Sequence, residues 1–128
     1  MANMQTAERV SRDASDNFVF QRSILAYYEA AKRIAGDVLE IGTGSGYGIE
    51  VIAPHAKRFI TVDKFMAEMG GALPDNVEFR QTVVPPLPFE SESFDFVISF
   101  QVIEHIKDDI EFVREIHRVL RPGGKAII

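Results

Sequence analysis

The sequence contains no cysteine. That excludes a disulfide framework and a thiolate metal site, and it leaves the compartment unset by any redox argument. Clusters of Lys and Arg are also missing, and the net charge is −5, so the phosphate backbone of a nucleic acid is not an expected partner. No apolar run approaches the length that spans a bilayer. The polar stretch from Met1 to Asp16 lacks the apolar centre of a signal peptide. The expectation is a soluble cytoplasmic domain. His55 and His117 fall on helix or turn surfaces, and their spacing with carboxylates supports no metal site. What the chain does have is apolar material. Its 128 residues are 46% hydrophobic, enough for one domain with a real core.

The chain is organised around Asp37 to Gly48, DVLEIGTGSGYG. Val38, Leu39 and Ile41 form a short apolar run suited to a parallel strand covered on both faces. Glycines then occupy every second position, where a missing Cβ permits positive φ and close approach of a ligand to the main chain. Ile49, Ile52 and Ala53 recur at helical spacing, which predicts a helix from near Ser45 or Gly46. Strand, glycine turn and helix start together make the usual nucleotide pocket of open α/β sheets. The dinucleotide fingerprint G-x-G-x-x-G would need Gly or Ala where Tyr47 stands. Glu40, two residues before Gly42, would repel a pyrophosphate but suits a ligand with a cationic end. No Gly-Lys-Ser/Thr follows, so this is not a P-loop.

Around this stretch the chain alternates helices and strands. A helix capped by Ser15 or Asp16 is predicted through Ala35, with Ile24, Tyr28, Ala31 and Ala35 on one face. Gly36 ends it. Strands are predicted at 59–63, 77–81 and 94–100, and a fifth from Lys125 to Ile128. Lys64 to Met69 reads as a weak helix cut short by Gly70-Gly71, with 72–76 mobile. Pro85, Pro86 and Pro88 exclude a helix over 83–88. Asp108 and Glu111 form a capping pair for a helix whose Ile110, Val113, Ile116 and Leu120 face inward. The pattern is α/β: a doubly wound, mainly parallel sheet of about five strands with its first strand near the middle. A ligand then sits outside the carboxyl ends of strands one and four. Asp63 ends the second strand about 20 residues past Gly42, where an acid can bind both ribose hydroxyls. It can also cap a helix from Lys64 onward. The joint spacing of strand, glycine loop and acid favours the ribose role.

The segment EIGTGSGYG resembles motif I of the class I S-adenosylmethionine (AdoMet)-dependent methyltransferases. The segment SFDFVISFQVIEH resembles the same family's fourth strand and following turn, and LRPGG its turn before strand five. The resemblance runs from Asp37 to Ile128 and implies a Rossmann-like core over 37–128, preceded by an N-terminal segment and helix over 1–36. It implies AdoMet as cofactor, bound by Glu40, Gly42, Gly44, Gly46 and Asp63. Lys64 and Phe65 would border the adenine, and Phe100 and Gln101 the methionine part. Asp95 would be structural. Where the family commonly carries an acid for the adenine amino group, this chain has Val83, or Thr82 if the loop shifts, so one charge-assisted bond is lost. The D/N-P-P-Y signature of amino methyltransferases acting on adenine and cytosine is absent after strand four. His105 stands near the carboxyl edge, where it can act as general base or simply be a surface histidine.

Two readings of the aromatic segment Asn17 to Arg22 stay open. Phe18 and Phe20 pack against the sheet edge, or the segment closes over the cofactor with Gln21 or Arg22 meeting its carboxylate. The function implied is methyl transfer from AdoMet to a small-molecule acceptor. The alternative is an AdoMet-binding regulatory module without catalysis, favoured by the missing adenine acid and the short chain. The family's sheet continues past strand five, whereas Lys-Ala-Ile-Ile stops inside an apolar strand. The expectation is truncation after strand five, or else a homodimer through that strand's edge, since bare apolar edges are rare.

Overall fold

The computed structural model describes residues 17–66 and 71–128, with side chains from residue 23 onward. The polar stretch from Met1 to Asp16 and the roles of Phe18, Phe20, Gln21 and Arg22 lie outside the described residues and side chains. The strands are β1 (Asp37–Ile41), β2 (Arg58–Asp63), β3 (Val77–Gln81), β4 (Phe94–Ile98) and β5 (Leu120–Ile127). The helices are α1 (Asn17–Ala31), α2 (Ile49–Ile52) and α3 (Asp109–Val119). All five strands run parallel in one sheet, in the order β3-β2-β1-β4-β5. The first strand is central, as the alternation of elements predicts. Among the described residues no helix is long and apolar enough to cross a membrane.

Side chains alternate across the pleat, and this sorts β1 and β2 between two cores. Val38, Phe59 and Ile98 join Ile24, Tyr27, Ile34 and Ile52 under α1 and α2. Leu39, Ile41, Ile60, Val62 and Val97 join Phe112, Ile116 and Val119 under α3. A sheet covered on both faces explains why β1 carries apolar residues toward both, Val38 on one side and Leu39 and Ile41 on the other. Glu40 shares the face of Val38 and is therefore directed toward α1.

Several element readings need correction. α1 ends at Ala31 rather than Ala35, and its inward tyrosine is Tyr27 (5% exposed), not Tyr28 (55%). The buried stripe is Ile24, Tyr27, Ala31 and Ile34, and the Tyr27 hydroxyl donates to the buried Glu40. α2 begins at Ile49 because Gly44 and Gly46 hold left-handed φ of 58° and 85°, which a helix cannot include. Lys64 to Met66 are not helical. The 72–76 segment is anchored at its end, since the Asn76 amide donates to Ala53 O (2.8 Å) and Ala56 O (3.0 Å).

α3 is capped as expected: Asp108 Oδ1 accepts from Glu111 N at 3.0 Å. Its buried face, however, is Phe112, Glu115, Ile116 and Val119, whereas Ile110 and Val113 are exposed. Phe112 is the largest apolar side chain of the helix, and its stripe at i, i+3, i+4 and i+7 wins the core. Leu120 leaves the helix and enters β5. That strand starts before Pro122-Gly123-Gly124, which is absorbed as an irregularity between the pairs Phe94–Leu120 and Phe96–Lys125. β4 ends at Ile98, two residues short of Phe100. Asp95 is structural, accepting from Asp37 N (2.8 Å) and Arg121 Nη1 (2.9 Å).

Candidate functional site

Two adjoining cavities open at the carboxyl ends of the central strands. The larger, about 660 Å³, lies between the ends of β1 and β2, the 82–86 segment and the turn leading to α3. The smaller, about 310 Å³, lies between the glycine loop, α1 and the residues after β4. Gly42 and Val102 line both, so the cavities meet over the first glycine. Gly42 has φ of 99°, and a Cβ there would stand 2.5 Å from Val102 Cγ2. Only glycine lets the chain turn here without filling the junction.

The glycine loop is fixed from β2. Gly42 N and Thr43 N both donate to Val62 O, at 2.8 and 3.1 Å. Gly44 N donates to Asp63 Oδ2 at 2.8 Å, and Phe65 N to Asp63 Oδ1 at 2.9 Å. The carboxylate of Asp63 thus caps its own turn and ties the loop while it faces the larger cavity. Lys64 to Met66 are not helical, so Asp63 caps a turn and not the expected helix, and each carboxylate oxygen keeps a second lone pair for a further donor.

The far wall of the larger cavity is Val83 to Pro86. It is held from behind by α3. Glu115 Oε1 accepts from Leu87 N at 2.7 Å, and Arg118 Nη2 donates to Leu87 O at 3.0 Å. Arg118 Nε in turn donates to Glu115 Oε2 at 2.6 Å. The Arg118 hydrogen bond, first, then the Leu87 backbone donor hold the Glu115 carboxyl below its ordinary range despite desolvation.

Beneath the smaller cavity lies a chain of hydroxyls ending on a carboxylate. Thr43 Oγ1 and Thr61 Oγ1 are 2.6 Å apart, and Thr61 Oγ1 donates to Glu40 Oε1 at 2.6 Å. The Tyr27 hydroxyl donates to Glu40 Oε2. Among the described residues no cationic side chain pairs with Glu40. Burial therefore outweighs the hydroxyl donors and raises its pKa to about 7. Burial, first, and then the Glu40 charge push the Tyr27 phenol well up. The Tyr27 ring stands edge-on to Tyr47 (5.6 Å) and Phe100 (5.1 Å). It also covers Gly48, where a Cβ would lie 2.2 Å from a ring carbon. Gln101 completes the wall with φ of 57° and a buried Oε1 that accepts no hydrogen bond among the described residues.

Most of the residues singled out from sequence converge here. Gly42, Asp63, Lys64, Thr82, Val83 and His105 line the larger cavity. Gly42, Gly44, Phe100 and Gln101 line the smaller. Glu40 and Gly46 line neither. Glu40 stands one layer behind, held by the hydroxyls of Tyr27 and Thr61, and Gly46 shapes the loop through Gly46 N to Thr43 O at 3.0 Å. His105 is exposed in a short 3₁₀ turn, 3.9 Å from Glu104. Sequence reasoning missed Tyr27 and Tyr47 as lining residues. A buried mid-strand glutamate requires a donor, and that requirement was the available signal for Tyr27.

Residues 39–128 match the protein-family model described as a methyltransferase domain. The chain is 42% identical over 119 residues to a "probable S-adenosylmethionine-dependent methyltransferase" of Mycolicibacterium smegmatis, covering 90% of this chain and 46% of the relative. It is 32% identical over 99 residues to the ubiquinone biosynthesis O-methyltransferase of Ruegeria pomeroyi, covering 70% of this chain and 39% of the relative. Among solved structures, the DhpI-SAM-HEP complex superposes with a TM-score of 0.60 at 27% identity, over 82% of this chain and 52% of that one. The chain spans less than half the length of the two relatives.

Proposed function

The chain belongs to the methyltransferase-domain family, and on that premise we propose that it binds AdoMet across the two cavities and transfers its methyl group to a small-molecule acceptor. The observation that carries the reading is the junction at Gly42. One cavity there is edged by the ribose-type carboxylate Asp63, and the other is backed by a buried carboxylate that lacks a cation. The residues present fit the cofactor. Gln101 Oε1 is a buried acceptor in want of a donor, and Glu40 is a buried carboxyl in want of a positive charge. Asp63 would hold the ribose, Thr82, Val83 and Lys64 would border the adenine, and Phe100 and Gln101 the amino-acid end.

AdoMet supplies a methyl group already activated as a sulfonium. The work of the chain is then to align the groups and exclude water. The glycine loop fixes the cofactor's position through hydrogen bonds to Val62 O and Asp63. The apolar wall Val83 to Pro86 keeps water from the larger cavity. His105, lining that cavity and open to solvent, would take a proton from an acceptor hydroxyl. The O-methyltransferase relative supports an acceptor of this oxygen type. Beyond the missing adenine acid and the short chain, nothing in the fold or among the relatives favours a non-catalytic module.

The test is a screen of small phenolic and hydroxylated acceptors with methyl-labelled AdoMet. Label transfer by wild type, reduced in His105→Ala with AdoMet affinity kept, supports the reading. AdoMet bound without transfer to any acceptor would favour the non-catalytic alternative.

A further inference from the structure

Three acids line the larger cavity: Asp63, Asp108 and Glu111. Both Asp63 oxygens already accept backbone donors, Gly44 N and Phe65 N. Asp108 is exposed and caps α3 by accepting from Glu111 N. Glu111, in the first turn of α3, is half-buried. A glutamate three residues past the cap can reach back to the backbone N–H of the capping residue. Glu111 does not: among the described residues its carboxylate makes no hydrogen bond or ion pair. Lys64 lines the same cavity but places its ammonium over the Phe65 ring, 5.1 Å from the centroid. The positive end of α3 favours the charged carboxylate, which then lacks only a donor. The remaining walls suit a flat apolar ring. Val83 to Pro86 form one side, and Val102 and Ile106 lie on the segment that leads into α3. The 82–86 segment carries no carboxylate, so a donor on the edge of such a ring has to be met from the α3 side.

We propose that Glu111 is the specificity-determining residue of the larger cavity: its carboxylate accepts a hydrogen bond from the exocyclic amine of an aminopurine and refuses a 6-oxopurine. The inference rests on the AdoMet reading above and goes further by naming the side chain that reads the base. A hydrogen bond from an amine to a carboxylate is charge-assisted and stronger than a neutral one. A 6-oxopurine turns an acceptor toward the same carboxylate, and two facing acceptors repel. The preference therefore has two sources, a bond gained with one base and a repulsion met with the other.

The experiment is isothermal titration calorimetry of the full chain with S-adenosylhomocysteine and with S-inosylhomocysteine, which carries oxygen in place of the exocyclic amine. Wild type should bind the adenosyl ligand about tenfold to a hundredfold more tightly, the scale of a hydrogen bond to a charged group. Glu111→Ala should lose most of that preference, chiefly through weaker binding of the adenosyl ligand. Glu111→Gln can turn its amide N–H toward the oxygen. It should bind the inosyl ligand more tightly than wild type does, a gain that no folding defect produces. Asp109→Ala removes a charge from the same helical turn but not from the cavity lining, and should keep the wild-type preference. A wild type without preference would overturn the proposal. So would full preference in Glu111→Ala, or a loss in Asp109→Ala as large as that in Glu111→Ala. If the folded wild type binds neither ligand nor AdoMet, the cofactor reading itself falls and takes the inference with it.

Discussion

Tyr27 and Glu40, thirteen residues apart in sequence, are joined by a buried hydrogen bond that fastens α1 to the central strand of the sheet. The same tyrosine ring lines the smaller cavity and lies over Gly48. One side chain thus ties the helix to the sheet, donates to the buried carboxyl and shapes the ligand space.

Tyr27→Phe keeps the ring and deletes the donor. Glu40 Oε2 is then left buried without its phenolic partner, which costs about 1–3 kcal/mol. Urea denaturation should show that loss with the m-value unchanged. Equal stability of the two proteins would mean that the hydrogen bond contributes nothing.

Glu40 also gives the ligand-free protein a defined pH dependence. Its folded pKa, about 7, lies above the ordinary glutamate value of 4.5. The folded state therefore binds more protons than the unfolded one between those values, and the contribution of Glu40 to stability is lost as pH rises from about 4.5 through about 7. Glu40→Gln cannot titrate, so wild type should lose stability relative to it across that window, by on the order of 3 kcal/mol at most. Parallel stability curves for the two proteins from pH 4.5 to 8 would contradict this.

Asp63→Ala removes an acceptor from the ribose and unties Gly44. AdoMet should bind about 1.5–3 kcal/mol more weakly, the scale of a hydrogen bond to a charged group. A ligand lacking the ribose hydroxyls should weaken wild type by a similar amount and the variant little. Fully additive losses would show that Asp63 does not touch the ribose.

Gly42→Ala places a Cβ 2.5 Å from Val102 Cγ2 at a φ of 99°. Strain and overpacking together should cost about 1–3 kcal/mol of stability. The folded fraction should lose AdoMet affinity, because both cavities share this residue. Affinity equal to wild type would remove the glycine junction from the site.

Much of the fold was legible because its signals are local. The apolar run of β1, the glycines behind it and the acid at the end of β2 each follow from neighbours in sequence. β3 was placed to the residue for the same reason. The errors fell where a distant partner decides the outcome. Tyr27 and Tyr28 are equivalent by periodicity, and only a carboxylate on another element distinguishes them. Ile110 and Val113 fit a helical stripe as well as Phe112 and Val119 do, but the sheet selects the larger side chain. The Glu115–Arg118 clamp on Leu87 spans 28 residues in sequence and leaves no mark in local patterning. In the site, the residues found from sequence were those of the glycine loop and strand ends. Of the two missed, Tyr27 comes from α1, whose approach to the loop is a tertiary fact, and Tyr47 lies in the loop but lines the cavity only once Tyr27 is packed against it.

The measurement that bears most directly on the account is amide chemical-shift mapping of the isotopically labelled chain during titration with AdoMet. The account predicts saturable shifts concentrated at Gly42, Gly44, Asp63, Val83 and Gln101, with the N-terminal ends of the strands, around Asp37 and Asp95, unmoved. A folded protein whose spectrum does not respond to AdoMet, or responds away from the two cavities, would contradict it.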